Sequence, residues 1–99
     1  MHVFSAEEAR TRLDSLPGWK IEEGILVKTF KFNDFVSALH FVNRVGELAE
    51  AAGHHPDIDI RYNRVRLSLV THDAGGLTEK DFGLAGGAAK LADEDLGTA

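Results

Sequence analysis

The sequence predicts an α+β fold: a four-stranded antiparallel sheet with three helices on one face, in the order α-β-β-α-β-β-α. Three observations carry this expectation. Residues 34–52 place apolar side chains at gaps of three and four, the repeat of one helix face. Residues 19–32 and 57–69 instead alternate apolar and polar, the repeat of half-buried strands, and each stretch is broken once by turn-forming residues. Shorter helical patterns with capping signals stand before the first stretch and after the second.

The first helix is expected over 5–15. Ser5-Ala6-Glu7-Glu8 reads as a capping box, with Ser5 as N-cap and Glu8 three residues on. Ala9, Leu13 and Leu16 follow at helical spacing, and Pro17-Gly18 stops the run. Trp19 and Ile21 then alternate with Lys20 and Glu22, Glu23-Gly24 supplies a turn, and a return strand follows. On that strand Ile25, Val27, Thr29 and Lys31 share one face, and Leu26, Lys28, Phe30 and Phe32 share the other. Asn33 or Asp34 caps the long helix over 34–52. Its apolar face is Phe35, Ala38, Leu39, Val42, Val45, Leu48, Ala49 and Ala52, and Gly53 stands where a left-handed residue would end it.

In the second hairpin Ile58, Ile60, Tyr62, Val65, Leu67 and Leu69 are expected to face the core, with the turn at Asn63-Arg64. A two-residue loop there sets 60 opposite 67 and 58 opposite 69, and continued outward it sets His55 opposite His72. A glycine-containing loop over 72–77 leads to Thr78-x-x-Asp81, a variant capping signature, and a last helix over 79–94. That helix shows Phe82, Leu84, Ala85, Ala88, Ala89, Leu91 and Ala92 on one face. Gly86-Gly87 inside it costs about 1 kcal/mol per glycine relative to alanine. The tail Gly97-Thr98-Ala99 is expected to fray.

Composition narrows the function. A chain of 99 residues is expected to be one domain, 1–99. The absence of cysteine excludes disulfides, cysteine zinc sites, thiol redox chemistry and a cysteine nucleophile. Eleven basic against 16 acidic residues give 11 − 16 = −5, which argues against gripping nucleic-acid phosphates. No run approaches the roughly 18 apolar residues of a bilayer span, and the N-terminus lacks a basic, apolar signal, so the expected location is the cytoplasm, away from membranes. A short chain buries a modest share of its surface, so self-association is expected.

The chemistry gathers around His54, His55 and His72, with Asp81 shortly after. Three readings compete. Imidazoles are metal ligands, but adjacent histidines with one distant partner match no recognised ligand spacing. Imidazole also titrates near neutral pH, so a cluster can divide general-acid and general-base work. Or His54-His55 only finish the helix, His72 is a loop residue and Asp81 is an ordinary capping side chain. By default Glu50 is a solvated helix residue and Trp19 a core or edge aromatic. Arg61 and Arg66 would be like-charged neighbours on the polar face, unfavourable unless Asp59 or an anionic partner offsets them. His2 and His40 carry no pattern.

Glu50-x-x-x-His54-His55-Pro56, with Tyr62, His72 and Asp81 at their spacings, resembles the signature of the pterin-4a-carbinolamine dehydratases. Gly18-Trp19, Phe30-Lys31-Phe32-x-Asp34-Phe35, Tyr62-Asn63-x-Val65 and Thr71-His72-x-x-x-Gly76-Leu77 are similar to that family too, so the resemblance covers roughly residues 12–92. It implies dehydration of 4a-hydroxytetrahydropterin to quinonoid dihydropterin, recycling the pterin used by aromatic amino acid hydroxylases, with no metal or organic cofactor. It implies His54, His55 and His72 as active-site residues and Asp81 as the signature aspartate, with Glu50, Pro56 and Trp19 in support or at the substrate. It implies a homodimer or homotetramer. His54 and His72 are then the expected acid–base pair, His55 positions substrate, and Asp81 fixes an imidazole tautomer, although the hairpin register above favours His55 and His72 as neighbours. The alternatives are a non-catalytic binding or dimerisation module of the same fold, or another pterin role such as in molybdopterin metabolism. A chaperone-like or RNA-associated domain is disfavoured by the charge.

Overall fold

The computed structural model of the chain describes residues 1–94, so the expected fraying of Gly97-Thr98-Ala99 lies outside the described residues. Helix α1 is Ala6–Leu13, strands β1 and β2 are Lys20–Glu22 and Ile25–Lys31, and helix α2 is Phe35–Ala52. Strands β3 and β4 are Asp57–Arg61 and Arg64–Leu69, a 3₁₀ turn spans His72–Ala74, and helix α3 is Glu79–Glu94. The four strands form one antiparallel sheet in the order β1-β2-β4-β3, the α+β arrangement the sequence predicts.

Local chemistry explains the helix ends. Ser5 Oγ accepts from Glu8 N and Glu8 Oε1 accepts from Ser5 N, which closes the capping box of α1. The helix ends at Leu13, short of the expected boundary, because Asp14 and Ser15 donate three residues back, to Thr11 and Arg12, in a tightened last turn. At α2 the cap is Asp34, whose Oδ1 accepts from Ser37 N at 2.8 Å. Gly53 closes the other end at φ 63°, donating to Glu50 O while His54 N donates to Ala49 O. These two bonds satisfy the last carbonyls in the manner of a Schellman motif and turn the chain sharply at His54.

Two expectations about packing are corrected. The buried face of α2 is Ala38, Phe41, Val45 and Ala49, whereas Phe35, Leu39 and Ala52 are exposed. Phe41 is drawn inward because its ring packs against both Phe30 and Phe32, at centroid distances of 4.8 and 4.9 Å. The second correction concerns the β3–β4 hairpin. Its turn is Tyr62-Asn63, so Ile60 faces Val65 and Ile58 faces Leu67, two residues from the expected register. Asn63 sets this position: its Nδ2 donates to Phe32 O at 2.8 Å and its carbonyl accepts from Phe32 N at 2.8 Å. An even shift leaves Ile58, Ile60, Val65, Leu67 and Leu69 on their expected face. Tyr62, however, leaves the core for the exposed turn, and His55 no longer stands opposite His72.

The core lies between sheet and helices, built from Leu26, Phe30, Val65, Leu67 and Leu69 on the strands and Phe41, Val45, Phe82 and Ala88 on the helices. Gly87 has a reason to be in α3: a Cβ there would stand 2.7 Å from Leu48 Cδ2, so glycine lets α3 lie close to α2. No helix among the described residues is long and apolar enough to cross a membrane.

Candidate active site

Three chain segments meet at one end of the sheet. The left-handed turn at Gly53 delivers His54 and His55 from the end of α2. Strand β4 runs on into Thr71 and the His72–Ala74 turn. The first turn of α3 brings Thr78, Lys80 and Asp81. Between them is a cleft of about 230 Å³, lined among others by His54, His55, Thr71, His72, Asp73 and Lys80. The three histidines singled out in the sequence therefore share one cleft.

Asp81 is fully buried beneath it. A buried carboxylate needs donors, and Asp81 has three. Its Oδ2 accepts from Thr71 Oγ1 at 2.8 Å and from Thr78 N at 2.9 Å, and its Oδ1 lies 2.6 Å from His54 Nε2. Thr71 Oγ1 also lies 2.8 Å from Thr78 Oγ1, which in turn accepts from Lys80 N. Each hydroxyl has one hydrogen. Thr71 commits its own to Asp81, so Thr78 must donate to Thr71. The donors thus point one way, from Lys80 N through Thr78 and Thr71 to the carboxylate. Because a carboxylate only accepts, His54 Nε2 carries a hydrogen, and the neutral ring keeps its lone pair at Nδ1.

The other histidines are held loosely. His55 Nε2 is 2.8 Å from Glu50 Oε2, and both side chains are exposed. His72 is exposed on its 3₁₀ turn; its carbonyl accepts from Gly75 N, but its ring has no hydrogen-bond partner among the described residues. Pro56 follows the histidine pair and leads into β3. Trp19 is not in the lining of the cleft. It is buried in the core, edge-on to Phe30 at 5.9 Å, with its indole Nε1 unpartnered. Thr71 and Lys80 are the site residues that the reading of single residues passed over. Thr71 continues the strand pattern, and the one available signal was its place beside His72 in the family-like segment.

A larger hollow of about 600 Å³ lies elsewhere, between the N-terminal segment, α1 and residues 75–77. Arg10 is its one charged lining residue and it holds no imidazole or carboxylate, whereas the smaller cleft is lined by all three histidines of the motif. Among the described residues no three or more histidine, aspartate or glutamate side chains are arranged to hold a metal ion.

Comparison with known proteins bears on the same residues. The family model described as pterin 4 alpha carbinolamine dehydratase matches residues 2–91. A protein of Acidobacterium capsulatum provisionally named pterin-4-alpha-carbinolamine dehydratase is 64% identical over 85 residues, covering 86% of this chain and 92% of its own. The chain belongs to the pterin-4a-carbinolamine dehydratase family. Another dehydratase-family relative, from Chloroflexus aurantiacus and provisionally given the same name, is 60% identical over 85 residues, covering 86% of this chain and 91% of its own. The crystal structure of a transcriptional coactivator/pterin dehydratase from Brucella melitensis superposes with a TM-score of 0.88 at 32% identity, covering 91% of this chain and 98% of its own. A pterin dehydratase-like protein identified as a RuBisCO assembly factor in the alpha-carboxysome shares the fold, with a TM-score of 0.61 at 23% identity over 74% of this chain and 84% of its own.

Proposed function

We propose that this member of the pterin-4a-carbinolamine dehydratase family catalyses the dehydration of 4a-hydroxytetrahydropterin to quinonoid dihydropterin by histidine acid–base chemistry, with no cofactor. The reaction removes the proton from N5, breaks the C4a–O bond and forms the N5–C4a double bond. The departing oxygen takes a proton and leaves as water. A base and an acid are needed, and each well-placed group contributes on the order of 10²–10⁴-fold.

His54 is assigned as the base. Its Nε2 is tied to Asp81, so its free Nδ1 is the atom that accepts the N5 proton, and the carboxylate stabilises the imidazolium that results. His72, with no partner holding its ring, is assigned as the acid at the leaving oxygen. His55, braced by Glu50, positions the pterin ring at the rim, with Pro56 shaping the approach. Trp19 supports the site from the core, through packing. The observation that carries the reading is the 2.6 Å His54–Asp81 pair in a cleft shared by all three histidines.

We place the reaction in recycling of tetrahydrobiopterin in the cytoplasm, by a homodimer or homotetramer. Phe35, Val36 and Leu39 leave an apolar patch near the start of α2, with Val36 74% exposed, and association would cover it. Sedimentation of the purified chain tests the assembly, since a monomer at all concentrations contradicts it. The function itself is tested by following dehydration of 4a-hydroxytetrahydropterin with the purified protein. No acceleration over the spontaneous reaction overturns the assignment and favours a non-catalytic binding module.

A further inference from the structure

The helix-free face of the sheet carries, at the end away from the cleft, a row of three cations of which the fold pairs only one among the described residues. Register sets Lys31 on β2 opposite Arg64 on β4, and Arg64 opposite Arg61 on β3. Directly opposed side chains have Cβ atoms about 4.5–5.5 Å apart, and like charges there are destabilising. Neighbouring cations are offset: Arg61 Nε meets Asp59 Oδ1 at 3.0 Å, and Arg66, one row along, meets Glu22 at 3.0 Å. Arg64 and Lys31 have no ion pair among the described residues. Asp93 lines a hollow together with Lys31 without pairing to it. In a chain of net charge −5, three cations in register stand against the background.

The turn beside this row is strained. Tyr62 sits at φ 51°, a left-handed backbone that costs a bulky residue of order 1–3 kcal/mol, and its side chain is 67% exposed. The double hydrogen bond between Asn63 and Phe32 holds it there. These bonds therefore keep an aromatic ring at the hairpin tip, next to Arg61 and two residues from Arg64. Strand β3 separates Tyr62 from His55-Pro56, and its five residues at about 3.3 Å each give roughly 17 Å. Tyr62 is not among the residues that line the histidine cleft.

We infer that this end of the sheet binds a nucleoside polyphosphate, its phosphates on Lys31, Arg64 and Arg61 and its base stacked on Tyr62. Guanidinium forks match phosphate oxygens, and three cations across adjacent strands suit two or three linked phosphates. An exposed ring stacks any base, so discrimination among bases is expected to be weak. A long nucleic acid is disfavoured, because the row ends after three cations and the net negative charge repels an extended polyanion. The histidine cleft is not part of this assignment, so either can fail alone.

The test titrates the full-length protein with ATP, GTP and inorganic triphosphate at about 0.15 M salt, read by amide chemical shifts. ATP and GTP are expected to bind within about threefold of each other and about tenfold more tightly than inorganic triphosphate. Arg64→Gln is expected to weaken all three at least tenfold while leaving the dehydration rate unchanged. Tyr62→Leu is expected to bring the nucleotides down to the level of inorganic triphosphate. No binding, binding that survives Arg64→Gln, or preference for a single-stranded oligonucleotide over ATP overturns the inference.

Discussion

On the buried side of the cleft, His54 is 11% exposed and bonded to a carboxylate with no exposure at all, itself held by two further donors. On the open side, the next residue, His55, is 64% exposed and bonded to a glutamate that is 81% exposed. The two pairs look alike as distances, 2.6 and 2.8 Å. They differ in what surrounds them. An exposed pair contributes about 0–1 kcal/mol and rearranges freely. A buried, fully bonded carboxylate fixes its partner's orientation and tautomer, because any other arrangement leaves a buried donor or acceptor unsatisfied at a cost of about 1–3 kcal/mol. Burial thus separates an imidazole whose orientation and tautomer are fixed from one free to rearrange.

Substitutions on the two sides should break the comparison unequally. Asp81→Asn is expected to have the largest effect, lowering the dehydration rate by about 10²–10⁴-fold, because an amide offers a donor where His54 needs an acceptor. Stopped-flow rates on protein shown to be folded by circular dichroism check it. Thr71→Val removes one donor from Asp81 and breaks the chain from Thr78. It should cost about 1–3 kcal/mol in urea denaturation and about tenfold in rate, with Thr71→Ser restoring both. Glu50→Gln, on the open side, should change the rate by less than about threefold and leave the urea midpoint in place.

The smallest expected effect lies in the helix caps. Asp34 and Glu8 are held below the ordinary carboxylate range, chiefly because backbone N–H groups of Ser37 and Ser5 donate to them. The folded chain therefore binds fewer protons at these groups than the unfolded chain. Their stabilisation is fully present above the ordinary carboxylate pKa and is lost as pH falls through that range toward the lowered folded values. Melting curves between pH 7 and pH 3 should show a shallower acid decline for Asp34→Asn than for the unaltered chain.

Much of this was legible in the sequence because the deciding contacts are local. Ser5 and Glu8, Asp34 and Ser37, and Gly53 at the end of α2 each act within a few residues, and period-two alternation gave the correct strand faces. The histidine trio was legible as a spaced motif. Other features depend on distant partners. The hairpin turn moved to Tyr62-Asn63 because Asn63 is tied to Phe32, 31 positions away. The face of α2 rotated because Phe41 meets two rings from the sheet. Thr71 reads as a strand residue until its hydroxyl is seen on Asp81, whereas Trp19 lies in the core, as the default reading of that residue has it.

The most direct test is the single-turnover rate of 4a-hydroxytetrahydropterin dehydration, measured across pH for the unaltered protein and for His54→Ala. The expected result is a clear acceleration over the spontaneous reaction, lost by at least about a hundredfold in a folded His54→Ala protein. An unaltered protein that does not accelerate dehydration, or a His54→Ala protein that matches it, would contradict acid–base catalysis by the buried histidine.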